Sequence, residues 1–552
     1  MTRKADVDPP AASPDEPLPR VPDSARSARV VAAGILLSRI AGLVRERLFA
    51  QYLGTSAFAS AFRAALRMPN VLQNLLGEGT LSASFIPSYS HLLERGEHEA
   101  AGRLAGAIFA LLLAVAGGLT LAGALLAPLF VEIFFPAFTE EMQQVTAACM
   151  RVIFPMTGVL VLSAWALGIL NSHRSFFLPY FAPVLWNAAM IATLLALGGR
   201  RDGAGLVLAL AWAALAGGAL QFAIQLPRVL RLEPRLRVHW DTKSAHVRQV
   251  VRNAGPAILG RGVVQVSSWI DLFLAGLLFT GAVAVLGYAQ TLYLLPVSLF
   301  GMSIAAAELP EMSRQREEGA AVLRARLDAG LRRVALLVVP SAIGFIVLGD
   351  LVVGALYRTG EFGASDNALV HLTLAGYTVG LLASTATRLY ASSLYALDDT
   401  RTPARIALIR VILSGVSGAG AMLFLERWGV RGEPFAIAPV AGNDAALPLG
   451  VSGLALAAGV AAWVEWLLLR RAVTARIGTG AAPVVPVRLL GAATVAALLA
   501  RGIDVLLPPL HPIPRAAIVL VPFGALYFAF AHLFGVPDAG AFLSRVRRRL
   551  FR

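Results

Sequence analysis

Long apolar segments recur along almost the whole chain, and they constrain its fold more than any other feature. Between residues 28 and 535 they follow one another with short interruptions. Segments of about 18 or more apolar residues can cross a hydrocarbon core of about 30 Å as α-helices. A membrane β-barrel would alternate apolar and polar residues, and these segments do not. Because 57% of the residues are hydrophobic and only 15% are charged, an ordinary soluble enzyme is also excluded.

The predicted fold class is therefore an all-α polytopic membrane protein with about fourteen transmembrane helices. Residues 1–27 are rich in Pro, Asp, Ser and Arg, and they predict a disordered cytoplasmic tail. No apolar stretch lies near the start, so a signal peptide is not expected. The predicted spans are 28–52, 58–88, 101–130, 144–171, 176–199, 204–226, 254–279, 282–307, 331–356, 366–397, 404–425, 450–470, 485–507 and 514–535.

The net charge of +15 would favour nucleic-acid binding in a soluble protein. Here the basic residues concentrate in connections that share one side of the membrane, above all 228–252 and 545–552. This distribution predicts a multi-pass protein of the bacterial inner membrane with both termini in the cytoplasm and no nucleic-acid partner. Attraction of these segments to anionic lipid headgroups is the alternative to a purely topological role. A single cysteine, Cys149, excludes an intrachain disulfide or a cysteine metal site.

An internal repeat predicts two equivalent halves. The segment FIPSYSHLLERG (Phe85–Gly96) returns as ELPEMSRQREEG (Glu308–Gly319), 223 residues later. An even number of spans separates the copies, so both halves have the same orientation. Paired lobes with a substrate site between them are typical of transporters. The predicted units are an N-lobe at 28–226, a basic linker at 227–253, a C-lobe at 254–470, two further helices within 471–535 and a basic tail at 536–552.

Charged residues inside predicted spans mark the candidate site, since each costs about 2.5–3.5 kcal/mol at a helix centre. The first span contains Arg39, Arg45, Glu46 and Arg47. At 100° per residue, seven polar positions of the second span fall within about 80° and form one stripe. The stripe cannot face lipid, so it faces a hydrated cavity or another helix. Its members are Ser56, Ser60, Arg63, Arg67, Asn70, Asn74 and Glu78.

A hydrated cavity with surplus arginine favours an anionic substrate such as a diphosphate headgroup, because guanidinium binds phosphate oxygens in pairs. The alternative for Arg45 is internal pairing or an extended side chain at the helix end. Pro69 is expected to bend the second span and to act as a gating point. Asp271 is a candidate coupling-cation site or a buried ion-pair partner, and Glu465 is expected to reach the interface. No acid–base pair, nucleophile set, metal site or nucleotide loop is apparent, so an enzyme with a cofactor is not expected.

Several motifs resemble one transporter family. They include SRIAGLVRERLFAQYLG, AFRAALRMPNVLQNLLGEGTLSASFIPSYS, GPAILGRGVVQVSSWIDLFLAG, LPVSLFGMSIAAAELPEMS, LYRTGEF and YALDDTRTPARI. In this order they span most of residues 29–425, and they are similar to the MurJ (MviN) lipid II flippases. The resemblance implies the multidrug/oligosaccharidyl-lipid/polysaccharide (MOP) exporter fold. It also implies transfer of an undecaprenyl-diphosphate-linked peptidoglycan precursor from the inner to the outer leaflet, for cell-wall synthesis and cell shape.

The resemblance assigns roles to individual residues. Arg39 and Arg45 match arginines of the family that are proposed to engage the diphosphate. Pro69, Asn70 and Glu78 match the Pro-Asn and Glu-Gly positions of the second helix. The last two helices are expected to flank a groove for the lipid tail. A monomer is expected, with the cell-wall synthesis machinery as a further partner.

Four positions depart from the family pattern: Ser60, Gln73-Asn74, Thr291 and Ser414. The first three replace charged residues that the family uses near the headgroup, and Ser414 replaces an Asn associated with a sodium site. We expect Arg63 and Arg261 to supply the missing cations.

Coupling to Na⁺, to H⁺ or to the membrane potential stays open, with Asp271 and Ser414 as the candidate cation site. The main alternative function is a flippase for another polyprenyl-linked glycan, such as an O-antigen or capsule unit. A cation antiporter would need an acidic cavity, and a membrane-embedded polyprenyl-phosphate enzyme would need a clustered catalytic set.

Overall fold

The computed structural model describes residues 24–433, 435–440, 446–478, 487–536 and 539–540. Within these ranges some side chains are not described, among them those of Glu78 and Arg261. Most of the predicted N-terminal tail and nearly all of the predicted basic tail lie outside the described residues. The predicted division of the chain into units stays a prediction.

The described chain is almost entirely helical, with one small sheet late in the sequence. Its first half contains α1 (Ser24–Leu53), α2 (Ala57–Leu76), α3 (Glu78–Glu94), α4 (His98–Leu125), α5 (Ala127–Phe134), α6 (Glu140–Ser172), α7 (Phe177–Leu197) and α8 (Gly203–Leu232). Its second half contains α9 (Ala245–Gly276), α10 (Ala282–Pro296), α11 (Ser303–Arg314), α12 (Ala320–Val347), α13 (Gly349–Tyr357), α14 (Ala364–Val379), α15 (Leu381–Ala396), α16 (Arg401–Leu425) and α17 (Gly450–Ile477). The last two helices are α18 (Val487–Leu506) and α19 (Pro512–Leu533).

Eleven described helical segments are long and apolar enough to cross a membrane. The predicted spans 28–52, 58–88 and 254–279 are also helical, as α1, α2–α3 and α9, but they are not among the eleven. These three contain the charged and polar residues singled out above, which lower their hydropathy. The membrane class is confirmed, and the count of about fourteen spans stays a prediction.

The internal repeat corresponds to equivalent helix ends. The first copy contains the end of α3 and finishes at Gly96, and the second copy contains the end of α11 with a short 3₁₀ turn and finishes at Gly319. Both glycines have positive φ, +73° and +104°, a conformation that side chains with a Cβ rarely adopt. The copies differ in one respect, because a π-helical turn at Val297–Met302 joins α10 to α11.

Three hydrophobic cores hold the helices together. We call the end of the bundle where α1 ends and α2 begins the distal end, and the opposite end the proximal end. One core lies at the distal end and contains residues of both halves, such as Phe62 and Tyr288. The other two are separate. One lies at the proximal end of the first half around Trp165, and one lies in the second half around Tyr390 and includes α18 and α19. Among the described residues, the distal core joins many helices of both halves, and the proximal core of the first half also includes Val247 and Val250 at the start of α9.

A three-stranded antiparallel sheet between α16 and α17 was not expected from the sequence. Its strands are β1 (Trp428–Gly432), β2 (Phe435–Pro439) and β3 (Leu447–Pro448), in the order β2-β1-β3. The β1–β2 register runs from Trp428 opposite Pro439 to Gly432 opposite Phe435. The sheet lies at the distal end, because Gly432 N donates to the Ser365 hydroxyl at the start of α14.

Candidate functional site

The two halves are joined at the distal end by polar contacts as well as by the shared core. Arg47 Nη1 of α1 donates to the carbonyl oxygens of Ala355 at 2.7 Å and Leu356 at 3.2 Å, in the last turn of α13. Such carbonyls lack partners within their own helix and carry partial negative charge. One step further along α1, the Gln51 carbonyl accepts from Glu361 N at 2.9 Å. These contacts close the distal end.

The start of α2 is covered by α10 of the other half. The Ala284 backbone N–H donates to the Ser60 hydroxyl at 3.1 Å, and Ser60 is fully buried. The Tyr288 hydroxyl donates to the Gly54 carbonyl at 2.9 Å. Ser56 caps α2 rather than lying within it, because its hydroxyl accepts from Ala59 N. Ser56 therefore lies just before α2 and Ser60 is covered by α10. Neither residue contributes to an open polar face of α2.

Arg45 and Arg63 form a buried cluster with Glu46. Arg45 Nη2 and Arg63 Nη2 lie 2.7 and 2.6 Å from the two oxygens of the Glu46 carboxylate. The side chains of the three residues are 18%, 14% and 10% exposed, respectively. Arg45 Nη1 also donates to the Asn187 amide oxygen at 3.0 Å, and the Arg63 guanidinium lies 4.2 Å from the centre of the Tyr288 ring. Both arginines are therefore paired within the closed distal end and do not face open space.

Arg67 lies one turn closer to the proximal end and contacts the other half directly. Its Nη2 donates to the Gln290 amide oxygen at 2.5 Å, and Gln290 Nε2 donates to the Tyr377 hydroxyl at 2.8 Å. Arg67 and Gln290 are 223 residues apart, which is the displacement of the internal repeat. Equivalent positions of the two halves therefore meet, so the axis that relates the halves passes close to this contact.

The rest of the predicted stripe lies towards the proximal end of α2. Asn70 is half-buried, and Asn74 is exposed and donates to the Gln265 amide oxygen of α9 at 3.4 Å. α2 continues through the buried Pro69 and stops at Leu76, and α3 begins after Gly77. The interruption of the second span thus falls at Gly77, eight residues beyond the predicted bend at Pro69. The side chains of Glu78 and Arg261 lie outside the described part of the structure.

Arg39 differs from the other arginines of α1. It is exposed, and it makes no ion pair or hydrogen bond with any residue that the structure describes. It lies six residues before Arg45, which corresponds to about 9 Å along the helix towards the proximal end. An unpaired guanidinium at this depth is available to an anionic ligand.

Asp271 and Ser414 lie on neighbouring helices, α9 and α16. Asp271 is half-buried and interacts electrostatically with Arg67 and Arg410, while Ser414 is 8% exposed. Glu465 does not reach the interface as expected: it is 9% exposed and pairs with Arg410 at 3.0 Å in the middle of α17. Among the described residues, no group of three or more His, Cys, Asp or Glu side chains could hold a metal ion. A cation site at Asp271 and Ser414 stays a prediction.

Thr291 is satisfied within its own helix, since its hydroxyl donates to the Gly287 carbonyl at 2.9 Å. Three further residues were not predicted from the sequence. Gln290 and Tyr377 continue the contact that Arg67 makes with the second half, and the third residue is Arg388. Arg388 is exposed on α15. The sequence contained a signal for it, because an arginine inside the predicted span 366–397 is costly unless it faces water or a partner.

Comparison with known proteins agrees with this architecture. The sequence model of the family described as "Lipid II flippase MurJ" matches residues 49–510. The chain belongs to this family. A relative named lipid II flippase MurJ, from Burkholderia cenocepacia, is 31% identical over 530 residues, covering 92% of this chain and 97% of the relative. The MurJ family is one of transporters rather than of enzymes, and its members span a membrane many times.

Solved structures support the fold. One described as lipid II flippase MurJ in an inward closed conformation matches with a TM-score of 0.71 and 21% identity, covering 92% of this chain and 98% of its own. An inward-facing multidrug-resistance MATE transporter of the MOP superfamily matches with a TM-score of 0.62 and 17% identity, covering 81% and 98%. The expected MOP exporter fold of two parallel lobes is confirmed.

Proposed function

We propose that this chain is a lipid II flippase of the bacterial inner membrane. It moves the undecaprenyl-diphosphate-linked peptidoglycan precursor from the inner to the outer leaflet. The observation that carries the proposal is the arrangement of the cores: the distal core joins many helices of both halves, whereas the other two belong to one half each apart from Val247 and Val250 at the start of α9. An unpaired arginine, Arg39, lies on α1 below the closed distal end. A space closed at one end and lined by arginine suits an anionic headgroup.

The proximal end is assigned to the cytoplasm. The basic segment that links the halves, between α8 and α9, lies at this end, and its charges favour the cytoplasmic side. The distal end then faces the periplasm, and the distal contacts close the periplasmic side. Both termini are cytoplasmic in this orientation.

The proposed cycle is alternating access. The headgroup enters from the cytoplasmic side, Arg39 and Arg67 neutralise the diphosphate, and rocking of the halves separates the distal contacts. Arg45 and Arg63 then leave Glu46 and become available to the diphosphate on its way out. The polyprenyl chain stays in the bilayer throughout, beside α18 and α19. Arg261 is proposed to contribute a further cation from α9.

Coupling is proposed to act at Asp271. Its carboxylate interacts electrostatically with Arg67 and Arg410, so binding of Na⁺ or H⁺ there would change the charge that the headgroup meets. Ser414 would contribute a hydroxyl oxygen. A membrane potential, negative inside, also favours outward movement of an anionic head. We propose that the protein acts as a monomer and delivers its product to the cell-wall synthesis machinery.

The second candidate is a flippase for another polyprenyl-linked glycan. It is favoured by the positions that depart from the family pattern, since Ser60 is covered by α10 and Thr291 bonds to its own helix. Neither can take over the headgroup contact of a charged residue. The two functions share the diphosphate and differ in the sugar and peptide.

The test is complementation of bacteria depleted of their own lipid II flippase. The parent chain is compared with Arg39→Ala and with the control Arg103→Ala, which removes an arginine from an exposed surface ion pair. All three are matched for membrane abundance, and surface-accessible lipid II is measured. We expect the parent and the control to restore lipid II at the surface and Arg39→Ala to fail. A well-inserted parent that restores no lipid II at the surface would favour another glycan as substrate. That substrate is then tested by expressing the chain in cells that depend on O-antigen or capsule export.

A further inference from the structure

The helix α15 is buried on all sides except one. Of its residues, which are all described, only Arg388 and Tyr395 are exposed, and Ala391 between them is half-buried. Positions 388, 391 and 395 follow the helical period and share one face. α15 packs against α11, α12, α17 and the π-helical turn Val297–Met302. A single open face that contains an arginine is unsuited to lipid, so it borders a hydrated gap inside the bundle.

Among the described residues, Arg388 has no partner that neutralises its charge. The acidic side chain that interacts electrostatically with Arg388 is Glu465, and its carboxylate already accepts from Arg410 at 3.0 Å. Arg388 makes no hydrogen bond or ion pair within the part of the chain that the structure describes. Its stem lies against the π-helical turn, because a Cβ on Gly301 would be 3.7 Å from Arg388 Cδ. π-helical turns inside α-helices occur frequently at functional sites.

The depth of Arg388 differs from that of Arg39. Arg388 lies eight residues before the proximal end of α15, or about 12 Å, whereas Arg39 lies about 21 Å from the distal end of α1. Measured along α14 and α15 from Ala364, Arg388 is about 36 Å from the distal end; since the hydrocarbon core is about 30 Å thick, Arg388 is near the level of lipid phosphates at the proximal face. Tyr395 lies seven residues further towards that face, about 10 Å along the axis. A polyprenyl-diphosphate glycan has the same order: diphosphate first, sugar beyond it.

We propose that Arg388 and Tyr395 form a loading site for the substrate on the second half of the protein. Arg388 binds the diphosphate of a lipid that arrives in the proximal leaflet. The exposed ring of Tyr395, 45% accessible, packs its face against the C–H groups of the first pyranose. The diphosphate then passes to Arg39 and Arg67 on the first half. This proposal rests on the proposed function. Arg388 supplies a cation in the second half, where Thr291 cannot supply one.

The test measures binding to the purified full-length protein in lipid nanodiscs. The probes are undecaprenyl diphosphate, which lacks sugar, and lipid II, which has the same tail and diphosphate. We expect Arg388→Gln to weaken both about tenfold, since it removes charge-assisted hydrogen bonds to phosphate. Arg388→Lys keeps the charge and should lose less. Tyr395→Ala should weaken lipid II several-fold and leave undecaprenyl diphosphate unchanged, whereas Tyr395→Phe should match the parent.

Controls separate this site from the proposed function. Arg103→Ala lowers the net charge at the same end of the bundle and should bind both probes as the parent does. Thermal unfolding of each variant shows whether it folds. A parent that binds undecaprenyl diphosphate but gains nothing from the lipid II sugar would count against lipid II as substrate and leave Arg388 in place. A parent that prefers lipid II, with folded Arg388→Gln and Tyr395→Ala variants of unchanged affinity, would overturn the loading site alone.

Discussion

Arg47 connects the two halves at the distal end, and its replacement by alanine is expected to open that end. Its guanidinium belongs to α1, and the carbonyl oxygens of Ala355 and Leu356 that it contacts belong to the last turn of α13. Because the two helices lie in different halves, the contact exists only while the distal end is closed. Arg47 is half-buried and has no acidic partner among the described residues.

The magnitude follows from the two hydrogen bonds. A hydrogen bond to a charged donor contributes about 1.5–3 kcal/mol when its partner is sheltered from water. The carbonyls of Ala355 and Leu356 can be rehydrated once the arginine is removed, so we expect a loss of about 2 kcal/mol in total. Such a loss lowers the ratio of closed to open molecules about thirtyfold, and a closed fraction of about 99% would fall to about 80%.

The assay is the distance between spin labels attached at the distal end of each half, in proteoliposomes. Cysteines at Glu132 of α5 and Phe435 of β2 are suitable because both positions are exposed. The native Cys149 is buried and should not be labelled. We expect the parent to give one dominant distance and Arg47→Ala to add a longer distance of about one fifth of the population. Arg47→Lys should give a smaller fraction, since lysine can still donate to a carbonyl.

The control is Arg103→Ala, which should leave the distance distribution of the parent unchanged. An Arg47→Ala distribution that is indistinguishable from that of the parent would refute the reasoning. It would mean that the shared hydrophobic core holds the distal end closed without help from this contact.

Two further predictions concern stability, both measured by thermal unfolding in detergent. Gly380→Ala should destabilise the protein by about 1–3 kcal/mol, because a Cβ there would lie 2.5 Å from the Gly459 carbonyl oxygen and 2.6 Å from its Cα. The control Gly420→Ala meets nothing within 4 Å and should be neutral, so equal losses would argue against the clash. Asp399 caps α16, and hydrogen bonds from Thr402 lower its pKa from 3.8 to about 2. Its stabilisation should be complete above about pH 4 and decline as the pH falls towards 2, so the difference between the parent and Asp399→Asn should shrink over that interval, and a constant difference would contradict the assignment.

Much of the fold was predictable from the sequence because membrane insertion depends on local composition. Apolar segments and the internal repeat can both be recognised over short stretches, and both agree with the structure. The three-stranded sheet was missed, since its strands have only five, five and two residues. The bend at Pro69 stays a prediction, and the structure adds an interruption that was not predicted, at Gly77 between α2 and α3.

The polar and basic character of the site was predictable from the sequence, but its contacts were not. Periodicity placed Arg63, Arg67 and Asn70 on one face of α2, and that face does meet the other half. Periodicity did not indicate that Ser60 would be covered by α10. The exposed arginine of α15 was not predicted, because its exposure depends on how α11, α12 and α17 pack around α15.

The sequence alone determined that this protein spans a membrane with helices, that it has two equivalent halves and that arginines lie within its spans. These properties depend on hydropathy, periodicity and the identity of each residue, which are local. Only the tertiary structure decided which arginines are free. Arg45 and Arg63 are neutralised by Glu46, whereas Arg39 and Arg388 are not paired with any described residue. The difference arises because the availability of a charge depends on the groups that distant helices bring to it, and hydropathy contains no information on those contacts.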